Sequence, residues 1–221
     1  MSRVAVLAGA SGLVGGELLK ILLEDQKYSR VYVLARKSIS YHHPKLREMI
    51  IDFNQLEKVE FNEQIDDAYC CLGTTMKKAG SREAFYKVDF QYVVSFSEMA
   101  LSQGASKFFL VSAVGANPNS IIYYNRIKGE VEMAVSQLKY HAIHIFRPSL
   151  LLGNRKEERW GEDIGKWLDK TFSFLIPERY KAIHACQVAD AMLRMAEEND
   201  AHGVFIHESE QMRQISQCHK V

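Results

Sequence analysis

Short apolar runs alternate with amphipathic stretches along the first two thirds of the chain. Runs rich in Val, Ile, Tyr and Phe are typical of strands buried on both faces of a parallel sheet, whereas apolar residues three or four apart are typical of helices. The predicted strands cover residues 4–8, 31–35, 48–53, 67–72, 107–111 and 142–146, and the predicted helices cover residues 12–24, 89–103 and 124–138. Asp89 is predicted to cap the second helix and Gly104 to end it. This alternation indicates parallel strands with right-handed crossovers, which is an α/β fold with a doubly wound parallel sheet.

The pattern changes after residue 148. The predicted features of this part are a solvated charge cluster, an amphipathic stretch, a helix, a strand and a helical or frayed tail, at residues 155–159, 160–174, 187–198, 204–206 and 209–221. We expect a single domain over residues 1–221, in which residues 149–190 and the C-terminal tail form a small inserted lobe.

Composition and charge narrow the class of protein. The 221 residues carry a formal net charge of +1 without a basic block, so nucleic acid and membrane surfaces are not expected as partners. No stretch is long and apolar enough to cross a bilayer, and the N-terminal apolar run is a strand rather than a signal peptide. Cys70 and Cys71 are adjacent and Cys186 and Cys218 stand alone, which is not a disulfide framework. This cysteine pattern suits a reducing, cytoplasmic location. The histidines lack metal-ligand spacing, so we expect no metal.

A glycine turn follows the first strand and opens the first helix. Such a turn needs residues without a β-carbon, and it directs free backbone N–H groups at the positive end of the helix dipole toward a diphosphate. The glycine spacing is one residue longer in its first gap than the usual dinucleotide fingerprint, and a glycine triplet alone can be a simple turn. Its position between a first strand and an amphipathic helix favours a diphosphate site. The predicted members of this site are Gly9, Ser11, Gly12, Leu13, Val14 and Gly15.

The end of the second strand carries a basic pair where many dinucleotide-binding folds have a carboxylate for the ribose 2′-hydroxyl. Arg36 and Lys37 stand there, and an arginine fork suits a 2′-phosphate. The alternative is an ordinary solvated basic loop. Asp52 and Phe53, at the end of the third predicted strand, are candidates for the adenine edge, although Phe53 is equally consistent with a core residue.

Three polar residues near the fifth strand suggest hydride transfer to a carbonyl. Tyr124 and Lys128 are four apart, so they share one face of a helix, and Ser112 follows the strand. Ser112 would polarise the carbonyl oxygen, Tyr124 would protonate it, and Lys128 would lower the phenol pKa from about 10 while holding the ribose. One Tyr-x-x-x-Lys pair is expected by chance, and a second pair at 41–45 contains a proline and follows no strand. The alternatives are a surface tyrosine, a solvated lysine and a turn serine.

Four motifs, in order along most of the chain, resemble those of one protein family. They are Gly-Ala-Ser-Gly-Leu-Val-Gly at 9–15, Cys-Leu-Gly-Thr-Thr at 71–75, Tyr-Asn-Arg-Ile-Lys-Gly-Glu-Val-Glu at 124–132 and Arg-Pro-Ser-Leu-Leu-Leu-Gly at 147–153. The chain resembles the atypical short-chain dehydrogenases/reductases, close to their Tat-interacting-protein branch of NAD(P)-binding oxidoreductase-like proteins. The resemblance implies a Rossmann fold, NADP (NADPH) as cofactor and the catalytic set Ser112, Tyr124 and Lys128. It also implies a cofactor lining of Cys71, Leu72, Gly73, Thr74, Lys128, Arg147, Pro148 and Ser149.

Two functions remain open from the sequence. The first is an NADP-dependent oxidoreductase acting on a small carbonyl or alcohol, with the inserted lobe as the substrate lobe. The second is an NADP(H)-binding regulatory protein without catalysis, because relatives often have a second serine where this chain has Ala113. A sugar-nucleotide epimerase is disfavoured by the short C-terminal segment. The expected partners are a small-molecule substrate and either a second copy of the chain or another protein.

Overall fold

Residues 2–153, 177–198 and 202–218 are described by the computed structural model. Their strands are β1 (Arg3–Ala8), β2 (Tyr28–Ala35), β3 (Leu46–Ile50), β4 (Asp67–Cys70), β5 (Lys107–Val111), β6 (Ala142–Arg147), β7 (Leu151–Leu152), β8 (Ile183–His184) and β9 (Gly203–Glu208). Seven of these strands form one parallel sheet in the order β3-β2-β1-β4-β5-β6-β9, while β7 pairs with β8 in a separate parallel ribbon. The chain winds outward from β1 in both directions, so the predicted doubly wound parallel sheet is confirmed.

Helices cover both faces of this sheet. They are α1 (Leu13–Glu24), α2 (Met76–Ala79), α3 (Arg82–Tyr86), α4 (Tyr92–Ser102), α5 (Tyr123–Ser136), α6 (Ala185–Glu197) and α7 (Ser209–Ile215). A π-helical turn, Lys87–Gln91, joins α3 to α4, and short 3₁₀ helices lie at Phe53–Lys58 and Glu178–Tyr180. Helices α1 and α6 pack on one face, and α4 and α5 pack on the other.

The apolar runs of the sequence are explained by burial on both faces of the sheet. In β1, Ala5 and Leu7 pack against α1 and α6, whereas Val6 and Ala8 pack on the opposite side against α4 and α5. Successive side chains of a strand point to opposite faces, so a strand with a core on each side needs apolar residues at every position.

Two predicted boundaries differ from the structure for local reasons. The third strand ends at Ile50, because the carboxylate of Asp52 accepts a hydrogen bond from the Asn54 N–H at 2.9 Å and begins a 3₁₀ helix. The prediction that Asp89 caps a helix is wrong. The helical run begins at Arg82, where Ser81 is the N-cap and accepts a hydrogen bond from the Ala84 N–H at 3.1 Å. Asp89 lies inside that run and is fully buried.

The prediction that Cys186 and Cys218 stand alone is also wrong, because the structure joins them in a disulfide. The chain after α7 folds back along α6, which brings the two cysteines together although 32 positions separate them. Asp190 of α6 holds the same segment by accepting hydrogen bonds from the Gln217 N–H at 2.6 Å and the Ser216 hydroxyl at 3.0 Å.

The predicted lobe is described only in part. Residues 155–159 and 160–174 lie outside the described residues. Strand β8 leads directly into α6, which packs against α1, so residues 185–190 belong to the main core. The tail contains α7, where a helical or frayed segment was predicted. The single domain with residues 149–190 and the tail as an inserted lobe stays a prediction.

A buried group of polar side chains, the amino-end cluster, lies at the amino ends of the strands and consists of Arg3, Tyr28, Asp67, Tyr69 and Lys107. Asp67 is fully buried, forms an ion pair with Arg3 and accepts a hydrogen bond from the Tyr28 hydroxyl at 2.6 Å. The Lys107 ammonium donates to a backbone carbonyl near the end of α6 at 2.9 Å. Burial raises the pKa of Asp67 to about 6, and the Arg3 guanidinium opposes that rise. The cluster therefore ties α6 to the sheet.

Two imidazoles lie next to each other on one face of the sheet, on the neighbouring strands β6 and β9. His144 Nδ1 is 3.0 Å from His207 Nε2, and His144 stacks on Phe109 and Phe205. Burial lowers the pKa of His144 to about 3 and that of His207 to about 4, since the interior disfavours the charged form. Both rings are therefore neutral packing groups at pH 7.

Candidate functional site

The glycine turn is fixed by close backbone contacts. Gly9 has a φ of +90°, and a β-carbon there would lie 2.4 Å from the carbonyl oxygen of Cys71. A β-carbon on Gly15 would lie 2.2 Å from the carbonyl oxygen of Gly9. Both positions therefore require glycine, because the turn is pressed between the end of β4 and the start of α1.

The start of α1 is arranged to bind an anion. Gly12 is the N-cap, so it supplies no capping side chain, and the first turn contains no acidic residue. The first backbone N–H groups of the helix therefore remain for a ligand, at the positive end of the dipole. Val14 is buried in the core and can contribute only its backbone, whereas Ser11 is exposed beside the turn. This geometry fits the diphosphate of a dinucleotide.

The basic pair at the end of β2 is exposed. Neither Arg36 nor Lys37 forms an ion pair with another described residue. The nearby carboxylate of Glu48 accepts hydrogen bonds from the Ser38 hydroxyl at 2.8 Å and the Ile39 N–H at 2.6 Å. Glu48 thus orders the loop that follows the pair.

The two residues suggested for the adenine edge are placed differently from each other. The Phe53 ring is 5% exposed and packs in the core, with its centroid 5.6 Å from that of Tyr92. Asp52 is exposed, and the hydrogen bond from the Asn54 N–H lowers the pKa of its carboxyl. The core interpretation of Phe53 therefore fits the ring, which leaves Asp52 at the surface.

Lys128 and Tyr124 lie in the first two turns of α5. Lys128 is 4% exposed, and its Nζ lies 2.8 Å from Oδ1 of Asp89. The other oxygen of Asp89 accepts a hydrogen bond from the Thr74 N–H at 2.9 Å. We name Thr74, Asp89 and Lys128 the carboxyl-end cluster. Tyr124 is half-buried, with its ring 5.5 Å from that of Phe85.

Burial and a neighbouring charge act in opposite directions on the pKa of Lys128. Burial lowers the pKa of the ammonium, but the Asp89 carboxylate more than reverses this, so the pKa is raised overall. Sequence reasoning missed Asp89 because it was assigned to a helix cap. The available signal was an aspartate set among the apolar residues Val88, Phe90 and Val93 on a helical stretch.

Ser112 belongs to a separate buried network with Glu132 and Arg147. The Ser112 hydroxyl donates to Glu132, whose carboxylate also accepts hydrogen bonds from Nε of Arg147 at 3.1 Å and 3.2 Å. Arg147 also lies 3.7 Å from Glu208. Sequence reasoning missed Glu132, although it ends one of the quoted motifs. Ser112 and Arg147 are thus held by a partner that was not predicted.

The remaining predicted residues line the ends of β4 and β6. Cys71 continues β4 through a backbone hydrogen bond to Ala8 at 2.8 Å, and Leu72 packs at the edge of the core. Pro148 is buried and its carbonyl accepts the Val114 N–H at 3.0 Å. The Ser149 N–H donates to the Ser209 hydroxyl at 2.8 Å. Parallel strands β1, β4, β5 and β6 therefore deliver these segments to one edge of the sheet.

Neither a membrane-spanning helix nor a metal-binding group is found among the described residues. None of their helices combines the length and the apolar character needed to cross a bilayer. Within residues 2–153, 177–198 and 202–218, no three His, Cys, Asp or Glu side chains converge as a metal-binding group.

Several known proteins are similar to this chain in sequence. The sequence model for the NAD dependent epimerase/dehydratase family matches residues 5–127, which include the glycine turn, the basic pair and Tyr124. Protein HTATIP2 of Rattus norvegicus is 34% identical over 198 residues, covering 88% of this chain and 80% of that protein. This relative confirms the resemblance inferred from the motifs.

A solved structure confirms the Rossmann-type fold. An oxidoreductase of the short chain dehydrogenase/reductase family from Burkholderia thailandensis superposes with a TM-score of 0.72 at 15% identity. The match covers 98% of this chain and 95% of that chain, so the architecture is shared over its full length.

One expectation is overturned by a relative. The protein named "Protein FMP52, mitochondrial" of Eremothecium gossypii is 30% identical over 168 residues, covering 75% of each chain. Proteins of that name from other organisms match similarly. The prediction of a cytoplasmic location is therefore wrong, since composition and an N-terminal strand do not distinguish one compartment from another.

Proposed function

The chain belongs to the NAD dependent epimerase/dehydratase family, and from that premise we propose that it is an NADP-dependent oxidoreductase acting on a small carbonyl or alcohol. The observation that carries the proposal is the continuity of the site. The Gly9 turn presses on Cys71, and a β-carbon on Gly73 would lie 3.7 Å from Nζ of Lys128. The diphosphate site and the ammonium are therefore joined by one short segment.

The choice of NADP over NAD is supported by Arg36 and Lys37. An unpaired guanidinium forms charge-assisted, bidentate hydrogen bonds to phosphate, whereas NAD binding at this position favours a carboxylate that accepts from the 2′-hydroxyl. The one carboxylate that orders this loop, Glu48, is engaged by Ser38 and the Ile39 N–H. The pair would therefore hold the 2′-phosphate, and the start of α1 would hold the diphosphate.

When bound, the dinucleotide would supply or accept the hydride. In the reductive direction, the Tyr124 hydroxyl gives its proton to the substrate oxygen. The Lys128 ammonium holds the ribose and stabilises the phenolate that Tyr124 becomes. Ser112 can polarise the substrate oxygen only by exchanging Glu132 for the substrate as its hydrogen-bond acceptor.

A matched pair of tyrosine variants tests this assignment. Tyr124→Phe removes the proton donor, so NADPH-dependent turnover of an aldehyde and ketone panel should fall by roughly a hundredfold or more. The unfolding midpoint and the NADPH dissociation constant should barely change. Tyr123→Phe, the adjacent residue on α5, is the control and should keep its turnover. Equal turnover in the two variants would remove Tyr124 from the mechanism.

The second function, nucleotide-dependent regulation without catalysis, is favoured by one observation. The Ser112 hydroxyl is engaged by Glu132, and the next residue is Ala113, which has no hydroxyl. A regulator keeps its cellular activity in Tyr124→Phe and loses it in Gly12→Val, where the added side chain obstructs the diphosphate site. An oxidoreductase loses it in both variants.

A further inference from the structure

We infer that Asp89 is a positioning residue that fixes Lys128 against the Gly73–Thr74 turn, an inference that rests on the proposed function. Each oxygen of the carboxylate has its own partner. Oδ1 lies 2.8 Å from Nζ of Lys128, and Oδ2 accepts the Thr74 N–H at 2.9 Å. One side chain thus joins the lysine assigned to the ribose and the turn assigned to the cofactor lining.

The turn lies directly over this ion pair. A β-carbon on Gly73 would be 3.5 Å from Oδ1 of Asp89 and 3.7 Å from Nζ of Lys128, which are ordinary van der Waals distances. Gly73 itself is exposed, whereas Asp89 and Lys128 are buried beneath it. A ligand on the turn would therefore lie close to the ammonium, because Gly73 has no side chain between them.

The π-helical turn explains how a carboxylate reaches this position. Asp89 is fully buried, while Lys87 and Gln91, two positions before and after it, are exposed. A π turn interrupts the regular i→i−4 hydrogen-bond ladder, and such turns are frequent at functional sites. Here it directs Asp89 toward α5 and the end of β4. An apolar residue could be buried by a regular α-helix without such a π turn.

The groups that face the ammonium define what Asp89 does to it. They are Asp89 from the π turn, Tyr124 from α5 and Cys70 from β4. Burial raises the pKa of Cys70 to about 12, so that thiol is neutral at pH 7. Without the Asp89 carboxylate, burial would act on Lys128 with little opposition and would lower its pKa. Asp89 therefore keeps the lysine charged as well as in place.

The pH dependence of NADPH affinity tests this role. Asp89→Asn keeps the side-chain shape but has one acceptor oxygen and no charge. Between about pH 6.5 and about pH 9.5, fluorescence titration of wild type should give a dissociation constant that changes by less than about twofold. In Asp89→Asn the dissociation constant should rise about tenfold or more over the same range, because Lys128 loses its proton. Asp67→Asn, the matched buried carboxylate at the other end of the sheet, should follow wild type.

Each outcome separates the inference from the proposed function. If wild type does not bind NADPH, the proposed function fails and the inference fails with it. If wild type binds NADPH and Asp89→Asn shows the wild-type pH profile, the inference alone is overturned, since a purely structural role would not change that profile.

A double variant covers the case in which Asp89→Asn folds but is too unstable for the titration. Removing both charges in Asp89→Asn/Lys128→Met should raise the unfolding midpoint above that of the single variant, because no buried ammonium is left without its counter-ion. The NADPH affinity of the double variant should be weak and independent of pH. A double variant that is no more stable than the single one would show that Asp89 does not act through Lys128, which overturns the inference.

Discussion

The amino-end cluster and the carboxyl-end cluster use the same chemistry at opposite edges of one sheet. Each contains a fully buried aspartate paired with a cation, Asp67 with Arg3 and Asp89 with Lys128. Asp67 is enclosed by strands and the end of α6, whereas Asp89 lies under an exposed glycine turn. A ligand can therefore approach a buried ion pair only where the loop above that pair is exposed. In a parallel sheet those loops follow the carboxyl ends of the strands.

The largest expected effect separates stability from binding. Asp67→Asn leaves Arg3 without its buried counter-ion, which should lower the free energy of unfolding by about 3–5 kcal/mol. Urea unfolding measures the loss, and NADPH titration of the same preparation should give the wild-type affinity. A variant that loses affinity as well as stability would show that the two ends of the sheet are not independent.

Arg36 is an exposed residue at the carboxyl end of β2. Arg36→Ala removes the contact proposed for the 2′-phosphate, so NADPH affinity should fall roughly tenfold to a hundredfold, about 1.5–3 kcal/mol. NADH affinity should stay the same. Lys139→Ala, another exposed cation, is the control. Equal wild-type affinities for NADPH and NADH, measured by calorimetry, would contradict the assignment of Arg36.

The smallest expected effect concerns the buried histidine pair and the stability of the fold in acid. His144 and His207 stay neutral in the folded protein, with pKa values of about 3 and about 4, whereas in the unfolded chain they take up protons below about pH 6.5. Stability from each imidazole is therefore present above pH 6.5 and is lost as the pH falls toward the folded pKa. The slope is up to about 1.4 kcal/mol per pH unit for each ring.

A His207→Phe variant measures that slope. Urea unfolding is measured at several pH values between about 6.5 and about 5. The free energy of unfolding should fall less steeply with decreasing pH than in wild type, by the slope of up to about one proton. His202→Phe, an exposed histidine one residue before β9, is the control. An unchanged slope would show that His207 does not cause the loss of stability in acid.

Much of the fold could be predicted from the sequence, because a strand buried on both faces must be apolar at every position. That rule located β1, β5 and β6 within a residue or two. The failures lie where a side chain acts on a partner distant in sequence. The apolar neighbours of Asp89 indicate that it is buried rather than a helix cap, but nothing local identifies Lys128 as its partner.

The candidate site divides in the same way. The glycine turn was predictable, because a tight strand-to-helix turn needs Gly9 and Gly15. The engagement of Ser112 by Glu132 was not, because it depends on how α5 packs over the end of β5. The roles of the predicted site residues stay predictions, and the variants above are their tests.

The disulfide between Cys186 and Cys218 has a topological consequence. It closes a covalent ring that contains α6, β9 and α7, so the edge strand β9 cannot separate far from the sheet while the ring is intact. In the chain-entropy description, closing a ring of this size restricts the unfolded chain by about 3–4 kcal/mol. Reduction would open the ring, and β9 would then be kept on the sheet by its pairing with β6 and by side-chain packing, without a covalent tether.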